Sequence, residues 1–366
     1  MLVFNAVIAN ALDRQRTPLA VSLDSLFEAR YPNAKEPGAS ILVAVGDSVV
    51  YERQFGVADM KTKRKIDRTT TFNIASLSKQ FTTIGALTLA AKGDLDIDAT
   101  IDGFFPEWGS PIWQKVKVRH LMSQSSGIPD TRPRHNRHDV IFANDSISFK
   151  YFNTLDSLKF EPGAAYDYIN PTFIIIAKIM EKKTGVPFVE YQKCTIFEPL
   201  GMTSTMYFDP AGMPSHSAHA YVTDERGKWQ IFEYGQETFF ATRPDGGIYS
   251  CPRDLLRWES GLRENKILPA EVRDEAYKCH TRVSGSPWCG YQNRPFTYYG
   301  YGFFIDRTPG FPTKVYHTGD NGGFQAYLAK YPAKNVVIIV LENRNDLDRW
   351  SMAREIDRIL INNGLL

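Results

Sequence analysis

Strand-forming sequence lies at both ends of this chain and helix-forming sequence fills the middle; no other feature constrains the fold as much. Near the start, "ASILVAVGDSVVYERQFGVAD" (39–59) reads as two β-rich runs around Gly46-Asp47, a dipeptide turn of the kind that joins antiparallel strands. Near the end, "KVYHTG", "FQAYLAKYP" and "NVVIIVLEN" read as three more strands, the last two joined across Pro332 to Lys334. A helix follows in "DLDRWSMAREIDRILIN", where apolar residues recur at helical spacing. Neither end alone supplies enough strands for a stable sheet, so the two are expected to meet in one antiparallel sheet.

Between them the periodicity turns helical. "SKQFTTIGALTLAAKGD" closes at Gly93, and "NPTFIIIAKIMEKKTG" opens at Asn170-Pro171 and closes at Gly185. The expected architecture is α+β: a central antiparallel sheet of N- and C-terminal strands flanked by helices, with an inserted, mostly α-helical domain. Its expected boundaries are 12–75 plus 245–366 for the discontinuous sheet domain and 76–244 for the helical one. At 366 residues, 43% of them hydrophobic, the chain has ample material for such a core.

The charge balance narrows the partners. A net charge of +2, with no dense run of Lys or Arg, disfavours nucleic acid and favours a small-molecule or peptide substrate. No apolar run approaches the roughly 20 residues of a membrane helix. Cys194, Cys251, Cys279 and Cys289 lack C-x-x-C spacing, which argues against zinc or a dithiol redox centre; Cys279 and Cys289 are the pair that could bridge. The first residues end in Ala9-Asn10-Ala11, which imitates a signal-peptidase site without a basic leader. They read as a truncated export signal, placing the protein outside the cytoplasm, or as an ordinary amphipathic segment, leaving it inside.

Three short constellations could carry chemistry. Ser76 and Lys79 are one helical turn apart, close enough for an amine to reach a hydroxyl, whereas Ser78 points elsewhere. A serine hydroxyl becomes a nucleophile when a neighbouring base takes its proton, and a lysine can do so if its pKa is depressed. Tyr168 and Asn170 flank one apolar residue just before a helix, so an extended backbone points both the same way. His317-Thr318-Gly319 reads as the end of a strand, followed by glycines that admit a ligand or another backbone.

Taken in order, S-x-x-K, Y-x-N and H-T-G resemble the serine hydrolases of the penicillin-recognising type: class C β-lactamases, D-alanyl-D-alanine carboxypeptidases and related esterases. "EPGAAYDYINPTF", "IFEPLGMTSTMY" and "GGIYSCPRDLLRW" extend the resemblance over most of the chain. It implies Ser76 as the acylated nucleophile, Lys79 as its partner in proton transfer, Tyr168 as the proton shuttle and Asn170 as a positioning amide. The backbone N–H groups of Ser76 and Asp320 would form the oxyanion hole, a role to which the identity of the side chain at 320 matters little. His317, Thr318 and Gly319 would line the substrate. His317 stands where many β-lactamases have a lysine that holds a substrate carboxylate, so esterase or D-amino-acid peptidase activity is favoured, with a class C-like β-lactamase or a catalytically silent ligand-binding protein as alternatives. Gln124, where the family often has histidine, is expected to have only a local structural effect. No metal or cofactor is implied.

Other signals carry less. "GDSVV" occupies the hairpin turn, no G-x-S-x-G occurs, and "DLDIDATID" lacks the glycine and glutamate of a calcium loop. His135 and His138 have metal-compatible spacing but are crowded by Arg132, Arg134 and Arg137.

Overall fold

A computed structural model describes residues 17–131, 145–209, 216–232, 242–285 and 295–366. Ala9-Asn10-Ala11, His135, His138 and Cys289, the partner considered for Cys279, lie outside the described residues.

The terminal strands do meet. β1 (Ala39–Val45) and β2 (Ser48–Phe55) form the hairpin over Gly46, whose φ of +58° is open to glycine at little cost. β3 (Val57–Asp59) and β4 (Arg64–Lys65) make a small ribbon, and β5 (Phe72–Asn73), β6 (Met206–Tyr207) and β9 (Ile248–Ser250) a three-stranded sheet beside the nucleophile turn. β7 (Tyr221–Thr223) pairs with β8 (Trp229–Ile231). These short strands make the middle of the chain less purely helical than its periodicity implied. The main sheet has eight strands in the order β10-β11-β12-β13-β14-β15-β1-β2, with β10 at Thr281–Arg282, β11 at Thr297–Tyr299, β12 at Phe304–Asp306, β13 at Lys314–Asn321, β14 at Phe324–Tyr331 and β15 at Val336–Glu342. β1 closes on β15 in antiparallel register from Ala39 opposite Glu342 to Val45 opposite Val336. Some three hundred residues of sequence separate the two strands, so sheet closure is what encloses the rest of the chain.

Both faces of this sheet are covered, which explains why β1 and β15 are apolar apart from Ser40 and Glu342. On one face lie the N- and C-terminal helices α1 (Pro18–Arg30) and α10 (Arg349–Asn362): Leu23 and Phe27 of the first and Ile356 and Leu360 of the second pack against Ile41, Val43, Ile338 and Val340. The other face, carrying Leu42, Ile339 and Leu341, meets the helical block. That block comprises α2 (Ser78–Ala91), α3 (Val118–Met122), α4 (Asp145–Lys150), α5 (Thr172–Thr184), α6 (Phe188–Gln192), α7 (Arg243–Gly246), α8 (Pro252–Arg263) and α9 (Ala270–Ala276). α2 is its axis: every residue from Ser78 to Leu89 is buried, so its polar side chains must find partners inside the protein. Thr82 donates to the Pro244 carbonyl at 2.6 Å and Thr88 to that of Gly85 at 2.7 Å. No helix among the described residues is long and apolar enough to cross a membrane.

Candidate active site

The nucleophile turn precedes α2. Ala75 holds a left-handed φ of +46°, a conformation that costs an alanine roughly 1–2 kcal/mol and requires support from its surroundings. Asn73 supplies it. The Asn73 Oδ1 accepts the Ala75 N–H at 2.8 Å and the Asn321 amide at 3.2 Å, while its Nδ2 donates to the Gly246 carbonyl at 3.2 Å. One buried side chain thereby joins the nucleophile turn to β13 and α7. From Ala75 a 3₁₀ turn (Ala75–Leu77) runs into α2, leaving Ser76 half-buried above a helix that is buried as far as Leu89.

One turn on, the Lys79 ammonium nitrogen donates to Ser76 Oγ at 3.0 Å and to the Asp245 carbonyl at 2.8 Å. It also lies 5.0 Å from the ring centre of Tyr168 and 5.5 Å from that of Phe173, a cation–π setting that suits a desolvated amine. Ser78, the serine not expected to do chemistry, is fully buried and accepts the Ile248 N–H at 3.1 Å, so it secures α2 to β9.

Tyr168 reaches this cluster from the segment before α5. Ile169 is buried and its neighbours Tyr168 and Asn170 are half-buried, as alternation along an extended backbone requires. The Tyr168 ring stacks on Phe304 at 6.4 Å and meets Tyr299 edge-on at 6.2 Å. Asn170 lies two residues beyond Tyr168, and its backbone carbonyl accepts the N–H of Phe173 at 3.2 Å.

His317, Thr318 and Gly319 lie inside β13 rather than at its end, because pairing with β14 continues to Asn321 opposite Phe324 and the chain turns at Gly322-Gly323. β13 passes so close to the nucleophile turn that a Cβ on Gly319 would stand 2.2 Å from the Ile74 carbonyl oxygen. Here glycine serves a close backbone approach. The His317 ring centre is 6.1 Å from that of Tyr168. Its Nδ1 lies 2.7 Å from the Thr318 carbonyl oxygen and its Nε2 3.0 Å from the Tyr299 hydroxyl. Burial, reinforced by the positive charges of Lys79 and Arg349, pushes its pKa down to about 3. The imidazole is therefore neutral over the physiological range.

The structure adds a role for one side chain and revises the expectation for another. Both oxygens of the Asp320 side chain pair with the buried guanidinium of Arg349 at the start of α10, which also donates to the Gly319 carbonyl at 3.2 Å. Its carboxylate therefore anchors the strand whose N–H was assigned to the oxyanion hole. Gln124 does more than shape its own loop, since it hydrogen-bonds the backbone on either side of Tyr168. Asn73 and Tyr299 escaped the sequence reading altogether. The only signal for Asn73 was an amide within the apolar run "TFNIA". Among the described residues no group of three His, Cys, Asp or Glu side chains is placed to hold a metal.

Comparison with known proteins bears on the family and the fold. The model of the Beta-lactamase family matches residues 23–360. Penicillin-binding protein 4* of Bacillus subtilis is 27% identical over 344 residues, covering 90% of this chain and 73% of that protein. Protein flp of Staphylococcus aureus is 24% identical, covering 88% of this chain and 63% of its own length, and D-aminopeptidase of Gluconobacter oxydans is 24% identical, covering 87% and 57%. Among solved structures, the octameric penicillin-binding protein homologue from Pyrococcus abyssi superimposes with a TM-score of 0.81 over 94% of this chain and 77% of that one. The penicillin binding protein from Bacillus halodurans does so with 0.76 over 94% and 98%. Both structures are 24% identical in sequence.

Proposed function

This chain belongs to the beta-lactamase family, and we propose that it is a serine hydrolase working through an acyl-enzyme on Ser76, with an ester or a D-amino-acid amide as substrate. The observation that carries the reading is the 3.0 Å contact between Lys79 Nζ and Ser76 Oγ. In the proposed reaction the substrate lies between the sheet and the helical block. Once the Lys79 ammonium has released a proton to solvent, its neutral amine takes the Ser76 proton as Oγ attacks the substrate carbonyl. The resulting oxyanion is held by the N–H groups of Ser76 and Asp320. Tyr168, beside Lys79, passes the proton to the departing alcohol or amine, and water then cleaves the acyl ester by the reverse transfers. Asn170 positions the substrate, and His317, Thr318 and Gly319 form its strand-side wall.

His317 supports the choice of substrate. Both its nitrogens are engaged within the protein and the ring is neutral, so it offers no fixed charge to a carboxylate beside the scissile bond. That favours an ester, or a D-amino-acid amide with no free carboxylate beside the scissile bond, over a β-lactam, a preference in keeping with the D-aminopeptidase among its relatives.

A substrate panel tests the proposal: p-nitrophenyl esters, D-alanyl peptides and amides, and penicillins, each with mass spectrometry of Ser76. Turnover of an ester or D-peptide with an acyl adduct on Ser76 is expected, and Ser76→Ala should lower the rate by roughly three orders of magnitude or more. Fast turnover of penicillins alone would reverse the preference. Binding without turnover or adduct would make this a ligand-binding protein.

A further inference from the structure

We propose that Gln124 is the positioning residue of Tyr168, setting where the phenol stands relative to Ser76 and Lys79. This rests on the role given above to Tyr168. The segment carrying that tyrosine is not a strand of the main sheet, so no ladder fixes its height over the nucleophile. One residue provides the fixing instead. The Gln124 carbonyl accepts the Asp167 N–H at 2.9 Å, and its side-chain Oε1 accepts the Ile169 N–H at 2.8 Å. The amides immediately before and after Tyr168 are thus held from a single point.

Gln124 adopts a φ of +54°, which a side chain other than glycine's rarely does, and it is 2% exposed. Its Nε2 is buried with no hydrogen-bond partner among the described residues. An unfavourable backbone and an unsatisfied donor are retained together at a position where the one well-made side-chain interaction is the bond from Ile169. Since that partner is a donor, the amide must present its oxygen there. Gln124 itself lies two residues beyond α3, whose last residue, Met122, accepts the Gly302 N–H at 3.1 Å. Gly302 in turn packs against Lys79: a Cβ there would stand 3.1 Å from the lysine's carbonyl oxygen. The clamp is therefore referenced to the helix that carries Ser76 and Lys79, and Tyr168 inherits that reference.

If Gln124 acts through Tyr168, removing both should cost no more than removing Tyr168 alone. Gln124→Met keeps the size and deletes the acceptor; Gln124→Gly also deletes it, while suiting the left-handed backbone, and carries the same measurements if the methionine variant misfolds. With the best ester or D-peptide of the panel, Gln124→Met should lower kcat about 10- to 100-fold, the scale of a displacement near 1 Å, with KM little changed. Tyr168→Phe should lower it at least as much, and the double variant should match Tyr168→Phe within a factor of about two. Multiplying losses, or wild-type kcat in both Gln124 variants, would overturn the proposal. Wild-type kcat in Tyr168→Phe would instead remove the role of Tyr168 on which it stands.

Discussion

The Tyr299 hydroxyl lies 3.0 Å from Nε2 of His317 and is its donor. The direction follows from the other ring nitrogen. Nδ1 faces the Thr318 carbonyl oxygen at 2.7 Å, and a carbonyl can only accept, so Nδ1 carries the proton of the neutral imidazole and Nε2 is left as acceptor. A second proton would have to displace the phenol's hydrogen bond inside a buried site that already faces Lys79 and Arg349.

Protein stability should accordingly fall with acidification. The folded-state pKa of His317, about 3, is below the value near 6.5 of an unfolded histidine. Between those values the unfolded chain holds a proton that the native one lacks, so the stabilisation is complete above pH 6.5 and is lost as pH falls toward 3. His120, lowered to about 4 chiefly by burial, acts in the same direction; Asp145, raised to about 6 chiefly by burial, acts in the opposite one. The difference between proteins isolates His317. In urea unfolding from pH 4 to 6.5, His317→Gln should reduce the slope of stability against pH by about 1.4 kcal/mol per unit, the value of one proton. Parallel curves for the two proteins would show that His317 does not titrate in this way.

Gly319→Ala should separate activity from folding. The added methyl would lie 2.2 Å from the Ile74 carbonyl oxygen and 3.1 Å from Ala75 Cβ, so β13 and the nucleophile turn must move apart. Both proposed oxyanion donors sit on those two segments, and a shift near 1 Å should lower kcat/KM roughly 100-fold. The measurement is kcat/KM on a turned-over ester with a circular dichroism spectrum beside it. Wild-type kinetics would show that the oxyanion hole is built elsewhere.

Closure of the sheet was legible in the sequence because β1, β14 and β15 are long, mainly apolar runs, whereas the Gly319-Asp320-Asn321 end of β13 reads as a turn. β10 to β12 were not legible, since two- and three-residue strands have no period to detect; only β12 pairs with the long β13, and β11 and β10 add on in turn. Ser76, Lys79, Tyr168 and His317 could be singled out because their chemistry depends on residue type at short spacing. Asn73, Gln124 and the Asp320–Arg349 pair could not. Their partners lie far along the chain, from the 29 residues between Asp320 and Arg349 to the 248 between Asn73 and Asn321, and no local pattern encodes such contacts.

Asn73→Ala should destabilise the protein and disable the nucleophile together. Three hydrogen bonds are lost, each worth about 1 kcal/mol net and more where a buried partner is left unsatisfied, so a loss of roughly 2–4 kcal/mol is expected in denaturant unfolding. With its amide released, Ala75 has no reason to hold φ at +46°, and its relaxation rotates Ser76 away from Lys79. Acylation, read as a burst with an activated ester, should slow by at least 10-fold under conditions where the variant remains folded. An unaltered burst would mean that the turn holds its shape without Asn73.

The two serines should fail in opposite ways. Ser76→Ala removes the proposed nucleophile from a half-exposed position, so activity should drop about 1,000-fold or more while the unfolding midpoint stays close to wild type. Ser78→Ala removes the acceptor of the buried Ile248 N–H and leaves that donor unsatisfied, costing about 1–3 kcal/mol of stability. Its hydroxyl is turned to β9 rather than to the Lys79 amine, so kcat should remain within a few-fold of wild type below the melting range. Measuring kcat and urea midpoint for both variants decides the matter. A Ser78→Ala protein of normal stability that had lost 100-fold in rate would show that the wrong serine carries the chemistry.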